Sequence, residues 1–163
     1  MDRGGPSLAP DLADFRAWVS PHLLAMTRLA IRLTSDADGD DVVQESLVRA
    51  WRRWDSYDDS RGTPLAWLLG VVANQARRHH SRTRAPHHAL VDVTERSRDL
   101  DREIDVDRAI ARLAPRQRLA VELHYYIGLS VTESAAVMGC SDGTVKSTLS
   151  DARRRLRTEL ESA

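Results

Sequence analysis

The C-terminal part of the sequence carries side chains that suit DNA binding. Polar and basic residues share the outward face of a predicted helix there: Thr144, Lys146, Ser147, Ser150, Arg153 and Arg154. Lysine and arginine can bind phosphate oxygens or guanine edges, and serine and threonine can bind either the backbone or a base. The pattern therefore predicts a surface that binds nucleic acid.

A helix-turn-helix is predicted to position these side chains. Residues 130–133 (Ser-Val-Thr-Glu) have the sequence of a capping box, so a short helix is expected to begin there and to run to Met138. Gly139 is expected to end that helix. Ser141 is expected to cap a last helix over about residues 142–160.

The spacing of Ala135, Gly139 and Val145 fits this motif. It needs a small residue where the two helices cross, a glycine where the chain turns, and a β-branched residue where the second helix packs back. An ordinary helical hairpin with a solvated basic face is the alternative. The cap, the turn and the basic C-terminal end together favour DNA binding.

A second basic surface is predicted earlier in the chain. Thr63-Pro64 has the pattern of a cap followed by proline, which predicts a helix from there to about Arg84. Its first half is apolar, and its second half is polar and basic, with Asn74, Arg77, Arg78 and Arg82. A helix anchored at one end and basic at the other can lie across a phosphate backbone.

Three more helices are predicted before that one. Apolar residues at helical spacing indicate helices over 12–19 and 21–33, and a third from about Asp40 to Trp54 after a polar break at 35–39. The acidic start of the third helix suits the positive end of a helix dipole. Residues 55–62 are predicted to form a loop.

The composition limits the possible classes of function. The 163 residues show no sustained strand-like alternation, which predicts an all-α protein. The net charge is zero, but residues 61–91 contain five arginines and no acid, whereas residues 92–107 contain seven acids. Basic patches therefore flank an acidic stretch. The sequence has no glycine-rich phosphate loop and no nucleophile elbow, so it does not predict an enzyme.

The sequence predicts no metal, no cofactor and no membrane insertion. Its single cysteine, Cys140, excludes an intrachain disulfide and is expected to be a small buried filler. Clustered histidines fit no structural zinc pattern: His79, His80, His87 and His88. No stretch approaches the roughly 20 apolar residues of a membrane helix and no secretory signal is recognisable, so a cytoplasmic protein is expected.

Two small helical domains joined by a flexible linker are predicted. Residues 1–10 are rich in glycine and proline and are expected to be a disordered leader. Residues 11–84 form the first domain, 85–100 the linker, and 101–163 the second domain. The second domain is expected to begin with helices over 101–113 and 115–126, ahead of the helix-turn-helix.

Four stretches of the sequence resemble one family, the extracytoplasmic-function sigma factors of bacterial RNA polymerase, within the sigma-70 family. Two of them, LAPRQRLAVELHYYIGLS and GLSVTESAAVMGCSDGTVKSTLSDARRRLR, resemble region 4. The stretch DGDDVVQESLVRAW resembles the helix of region 2 that binds core polymerase, and TPLAWLLGVVANQARRHHSR resembles the promoter-reading helix that follows it. The resemblance covers about residues 12–160 and implies a protein that directs promoter-specific initiation.

The resemblance implies roles for particular residues. Core polymerase, through the clamp helices of its β′ subunit, would bind Asp41, Gln44, Glu45 and Arg49. The loop over 55–63 would capture an unstacked base of the −10 element, with Tyr57 as one wall of the pocket. The −10 DNA would also meet Asn74, Arg77, Arg78 and Arg82.

The resemblance also implies how the second domain works. Region 4 would dock on the β flap, and the six side chains of the predicted recognition helix would read the −35 element. An anti-sigma partner would hold the free protein compact, with its DNA-facing surfaces hidden.

Several positions depart from the family's pattern. Thr148 and Asp151 stand where basic residues are common, and Asp151 would either repel phosphate or accept a hydrogen bond from cytosine. Ser134 and His80 replace expected apolar residues. Three tryptophans are predicted to belong to the core rather than to stack on bases: Trp51, Trp54 and Trp67. Two alternatives stay open, a helix-turn-helix regulator that does not use polymerase and a sigma-like protein that does not itself initiate.

Overall fold

The computed structural model describes residues 11–83 and 98–161, and within these residues the regular structure is entirely helical. An N-terminal module contains α1 (Leu12–Val19), α2 (Leu23–Leu33), α3 (Asp36–Arg52) and α4 (Pro64–Thr83). A C-terminal module contains α5 (Arg98–Ala111), α6 (Pro115–Val121), α7 (Val131–Met138) and α8 (Asp142–Glu161). The predicted all-α class is therefore confirmed for this part of the chain.

The predicted polar break at 35–39 is wrong, because α3 already begins at Asp36. Ser35 is the N-cap, and its hydroxyl accepts a hydrogen bond from the backbone N–H of Asp38 at 3.2 Å. Acidic residues in the first turn stabilise this end through the helix dipole. The polar sequence that looked like a break is thus a well-capped helix start.

Other predicted boundaries move by a few residues. The chain enters α2 through a short 3₁₀ turn at Ser20–His22, and α3 ends at Arg52, with a 3₁₀ turn over Trp54–Ser56. Helix α5 begins at Arg98, inside the predicted 85–100 linker. The rest of that linker and the predicted leader lie outside the described residues.

The helix predicted over 115–126 changes its winding part-way. After α6, residues Glu122–Tyr126 form a π-helical turn, in which the N–H of Ile127 donates to the carbonyl of Glu122 at 2.9 Å. Such wide turns are rare and occur often at functional sites. Here two consecutive side chains, Glu122 and Leu123, are both fully buried.

Each module has its own apolar core. The N-terminal core is centred on residues of α2, α3 and α4 that are almost inaccessible to solvent: Met26, Leu29, Val42, Leu68, Leu69 and Val72. The C-terminal core is formed mainly by Ile110, Val121, Val145, Leu149 and Ala152. Burial of such side chains is the main favourable contribution to folding.

The two modules pack against each other. Leu123 and Leu129 belong to the C-terminal module but are buried in the N-terminal core. Helix α7 crosses α4 closely at Gly70, where an added Cβ would lie 3.9 Å from the carbonyl oxygen of Val137. The described parts of the chain therefore share one continuous apolar junction, which the sequence did not reveal.

We expect Gly39→Ala to lower the free energy of unfolding by about 1 kcal/mol. A Cβ there would lie 2.6 Å from Cγ1 of Ile31 and 3.2 Å from its backbone. Overpacking costs about 1–3 kcal/mol and outweighs the gain of up to about 1 kcal/mol from replacing a glycine within a helix. Urea denaturation followed by circular dichroism measures the change.

Gly143→Ala is the matched control for this prediction. An added Cβ at Gly143 meets only the Ser141 hydroxyl, at an ordinary contact distance of 3.8 Å. We expect the control to be as stable as the wild type or more so. Equal stabilities of the two variants would mean that α2 and α3 do not approach as closely as described.

Candidate nucleic-acid interface

The predicted capping box of the helix-turn-helix is present. The Ser130 hydroxyl accepts a hydrogen bond from the N–H of Glu133 at 3.1 Å, and the Glu133 carboxylate accepts one from the N–H of Ser130 at 2.9 Å. These two hydrogen bonds satisfy backbone donors that the first turn of α7 leaves free. Helix α7 then ends at Gly139, whose φ of 61° lies in the left-handed region that glycine adopts without strain.

The crossing of α7 and α8 is fixed by the three residues that the sequence singled out. Ala135 and Val145 are buried where the helices meet, with Gly139 at the turn between them. The Thr132 hydroxyl of α7 also donates to the Asp142 carboxylate at the start of α8, at 2.7 Å. The motif therefore holds α8 at a set angle to α7.

Helix α8 presents a polar and basic face to solvent. Five of the six predicted contact residues are exposed: Lys146, Ser147, Ser150, Arg153 and Arg154. Thr144 is half-buried, and its hydroxyl lies 2.9 Å from that of Ser141. Lys146 and Arg153 form no ion pair with any described residue, so their charges face solvent.

The two departures on α8 are accommodated within the helix itself. The Thr148 hydroxyl donates to the carbonyl of Thr144 at 2.7 Å. The Asp151 carboxylate accepts from the Arg154 guanidinium at 2.6 Å. Asp151 and Arg154 thus neutralise each other, and the uncompensated positive charge on this face comes from other residues.

The second half of α4 also exposes basic and amide side chains. Asn74, Arg77, Arg78 and Arg82 are exposed, and the Asn74 carbonyl oxygen accepts from the Arg77 guanidinium at 2.7 Å. His80, which replaces an expected apolar residue, donates from Nε2 to the Leu33 carbonyl at 2.7 Å. That hydrogen bond anchors the basic end of α4 on α2.

Packing of the modules leaves the side chains that are predicted to contact DNA accessible to solvent. The expectation that an anti-sigma partner hides these surfaces stays a prediction. Apolar residues of α4 and α7 contribute to the junction, whereas the basic side chains at the end of α4 and on the outer face of α8 are exposed.

Tyr57 belongs to a cluster of aromatic rings. Its ring centroid lies 5.2 Å from that of Trp18 and 5.8 Å from that of Trp67, and its hydroxyl donates to the Gly62 carbonyl at 3.0 Å. Trp51 and Trp54 pack edge-on against Phe15. The prediction that the tryptophans contribute to packing is confirmed, and Tyr57 fixes the shape of the 55–62 loop.

The acidic stripe of α3 is exposed, as a protein-binding surface requires. Asp41, Gln44 and Glu45 are exposed, and Arg49 is half-buried. Val48, which the sequence analysis missed, continues the same stripe and is 51% exposed. Its position four residues after Gln44 was the signal that could have revealed it.

Glu45 also joins α3 to α4. Its carboxylate accepts from the side-chain amide of Gln75 at 2.8 Å and lies 3.6 Å from the Arg82 guanidinium. Gln75 is buried, and its carbonyl oxygen has no hydrogen-bond partner among the described residues. Glu45 therefore has a fixed position relative to the basic helix.

The described residues contain no cluster of potential metal ligands, and His87 and His88 lie outside them. Cys140 is a half-buried free thiol that packs against the C-terminal core. No helix in the described ranges is long and apolar enough to cross a membrane.

Comparison with known proteins identifies the family. Residues 18–85 match the model of Sigma-70 region 2, and residues 103–156 match that of Sigma-70, region 4. The chain is 34% identical to the ECF RNA polymerase sigma factor SigL of Mycobacterium tuberculosis over 99% of this chain and 97% of the relative. The chain belongs to the extracytoplasmic-function (ECF) sigma factors of the sigma-70 family.

Other relatives agree with this assignment. The ECF sigma factor is 36% identical to the RNA polymerase sigma-E factor of Streptomyces avermitilis, over 93% of this chain and 88% of the relative. It resembles the sigma factor RpoE of Bartonella quintana, solved in complex with the anti-sigma factor NepR (TM-score 0.69, 29% identity, 92% and 98% coverage). It also resembles CnrH, solved with the cytosolic domain of CnrY (TM-score 0.70, 26% identity, 94% and 92% coverage).

The match covers both modules, so a lone helix-turn-helix regulator is not favoured. As an ECF sigma factor, the chain directs promoter-specific transcription by RNA polymerase. Sigma factors are regulatory rather than catalytic proteins.

The capping box makes a pH-dependent prediction. Hydrogen bonds from the backbone and then the side chain of Ser130 lower the pKa of Glu133. Because the pKa is lower in the folded state, this stabilisation is present above the unfolded pKa and is lost as the pH falls through the folded pKa. Glu133→Gln should reduce stability by about 0.5 kcal/mol at pH 7, and the difference from wild type should vanish in acid.

Thermal unfolding of both proteins across this pH range measures the effect. Glu161→Gln, an exposed change in the last turn of α8, should leave stability unaltered at every pH. A Glu133→Gln difference that grows on acidification would contradict the proposed cap.

Proposed function

We propose that this sigma factor binds core polymerase through α3 and reads a promoter with two separate surfaces. The exposed stripe of α3, with Asp41, Gln44, Glu45 and Val48, binds the β′ clamp. The observation that carries the proposal is that an exposed acidic stripe and two exposed basic helix faces occur in one chain whose family acts on polymerase and promoters.

The two basic faces are assigned to the two promoter elements. The end of α4, with Asn74, Arg77 and Arg78, meets the −10 element, and the outer face of α8 meets the −35 element. On α8, Lys146 and Arg153 carry uncompensated charge and are assigned to phosphates. Ser147 and Ser150 carry hydroxyls that can reach base edges or phosphates.

We assign Arg154 a smaller part in phosphate binding than its charge alone would suggest. Since its guanidinium is bonded to Asp151, it contributes less to general phosphate attraction. The pair presents both a donor and an acceptor to the groove, and a carboxylate can accept from the amino group of cytosine. The −35 preference is therefore expected to depend on Asp151 as well as on the basic residues.

The partners and location follow the family. One of the similar solved structures is of a sigma factor bound to an anti-sigma factor, and we assign an anti-sigma partner to this chain. It acts with RNA polymerase in the cytoplasm, needs no cofactor and performs no catalysis of its own. The alternative of sigma-like binding without initiation is not favoured, because the family matches cover both modules.

Reconstituted transcription distinguishes initiation from mere binding. Purified core polymerase and the full chain are incubated with a genomic promoter library, and run-off transcripts are sequenced. The chain should start transcripts at a defined set of sites with a shared upstream element. If no transcript depends on the added chain although it binds core, the sigma-like alternative replaces the proposal.

The polymerase surface is tested by removing one charge and one amide from α3. We expect Asp41→Asn combined with Gln44→Ala to weaken binding to core at least about tenfold, because both exposed side chains lie in the proposed contact. Asp14→Asn, an exposed acid on α1, serves as the control and should bind like the wild type. Unchanged affinity of the double variant, measured by fluorescence anisotropy, would exclude this face of α3.

The DNA surface of α8 is tested by the salt dependence of binding. Lys146→Ala and Arg153→Ala should each reduce the slope of log affinity against log salt by about 1. Arg112→Ala is the control, because Arg112 directly follows α5 and pairs with Glu159. Slopes equal to that of the wild type would remove these residues from the phosphate contacts.

The buried amide of α4 gives a separate prediction. Gln75→Leu should leave the fold as stable as before or more so, since the Gln75 carbonyl oxygen lacks a partner. It should nevertheless weaken core binding several-fold, because Glu45 loses the hydrogen bond that fixes its carboxylate. Gln117→Leu, which also removes an unpartnered carbonyl oxygen, should affect neither quantity. Normal core binding by Gln75→Leu would contradict the positioning of Glu45 by Gln75.

A further inference from the structure

A buried ion pair joins the two modules. The Glu122 side chain, in the π turn, is only 1% exposed and accepts a hydrogen bond from Nε of Arg32 on α2. The other arm of Arg32 donates to the Asp107 carboxylate of α5 at 2.9 Å. One arginine of the N-terminal module therefore binds two acids of the C-terminal module.

Further contacts surround this pair. The guanidinium of Arg32 lies 3.5 Å from the centre of the Tyr126 ring, and the Tyr126 hydroxyl donates to Asp107 at 3.4 Å. Arg118 of α6 donates to the backbone carbonyl of Arg32. Four residues of the C-terminal module thus converge on a single residue of α2.

Glu122 depends on Arg32 for its charge. Burial raises the pKa of Glu122, and the hydrogen bond and charge of Arg32 oppose that rise. A buried carboxylate without its partner is strongly unfavourable. We call the packing of the two modules against each other the closed arrangement. Loss of either side chain should destabilise it more than the loss of an exposed ion pair would.

The closed arrangement is incompatible with the proposed reading of two promoter elements. The −10 and −35 positions are about 25 base pairs apart, or about 85 Å at 3.4 Å per base pair. A compact chain of this length has a radius of gyration of about 15 Å. The two modules must therefore separate before α4 and α8 can reach their elements together.

We propose that Arg32 and Glu122 form a latch that keeps the free chain closed and that opens when the chain engages polymerase and promoter. Asp107, Tyr126 and Arg118 complete this latch. This inference rests on the proposed function only in requiring that the two modules separate. The latch thus gives the chain an inhibitory contact of its own, in addition to any anti-sigma partner.

The distance between the modules tests the latch directly. Spin labels are placed on Arg16→Cys of α1 and Arg157→Cys of α8, both exposed, with Cys140→Ala removing the only natural thiol. Double electron–electron resonance spectroscopy then gives the distribution of distances between the two labels in the full chain. The otherwise wild-type chain should give one short, narrow distribution, and Glu122→Gln should shift at least half of it to longer distances.

The same variants are tested for DNA binding without polymerase. Apparent affinity scales with the fraction of binding-competent molecules, so Glu122→Gln should bind a fragment with both promoter elements at least about tenfold more tightly than wild type. Glu159→Gln is the matched control, because it makes the same chemical change in an ion pair within the C-terminal module. It should alter neither distance nor affinity.

Arg32→Met supplies a second variant in case Glu122→Gln does not fold, as judged by far-ultraviolet circular dichroism. It should open the chain as well, and the double variant should open no further than the more affected single variant. A short, narrow distribution in both folded single variants would overturn the latch. Because the distances are measured without polymerase, that result would leave the proposed function intact, whereas a failure to initiate with an intact latch would count against the function alone.

Discussion

The burial of the apolar half of α4 is the interaction on which the rest of the structure depends. Leu68, Leu69 and Val72 fill the core that α2 and α3 enclose. The same half of α4 receives α7 across Gly70, so one helix contributes to both the first core and the junction between modules. Its other half packs on α2 and α3 with one face and exposes basic side chains on the opposite face. The apolar contacts thus determine where the charged groups can act.

The sequence predicted the helices and the helix-turn-helix because their signals are local. A capping box, a glycine at the turn and the 3.6-residue periodicity each depend on neighbours only a few positions away. The prediction of a break at residues 35–39 was wrong for the same reason, since a serine followed by acids and a glycine is equally typical of a loop and of a helix start. In the folded chain the segment is helical, and Ile31 packs so closely on it that position 39 requires a glycine.

Features that depend on distant residues could not be predicted in this way. Arg32 and Glu122 are 90 positions apart, and no periodic pattern relates them. The π turn is invisible in composition, because Glu122–Tyr126 has the same apolar spacing as an ordinary helix. Gln75 lies within a stretch that the sequence predicts to be polar and basic, yet it is buried and contacts Glu45, which is 30 positions away. The roles of the exposed residues came from resemblance, since exposure alone does not identify a partner.

The Asp151–Arg154 pair has a consequence for how the protein searches a genome. Long-range attraction to DNA depends on uncompensated positive charge and is nearly blind to sequence. Because Asp151 neutralises the charge of Arg154, α8 attracts DNA less strongly over long distances. The pair still keeps the hydrogen-bonding groups that distinguish one base from another. Such a helix should bind non-specific DNA more weakly. Its selectivity then depends more on short-range contacts with bases than on long-range electrostatic attraction.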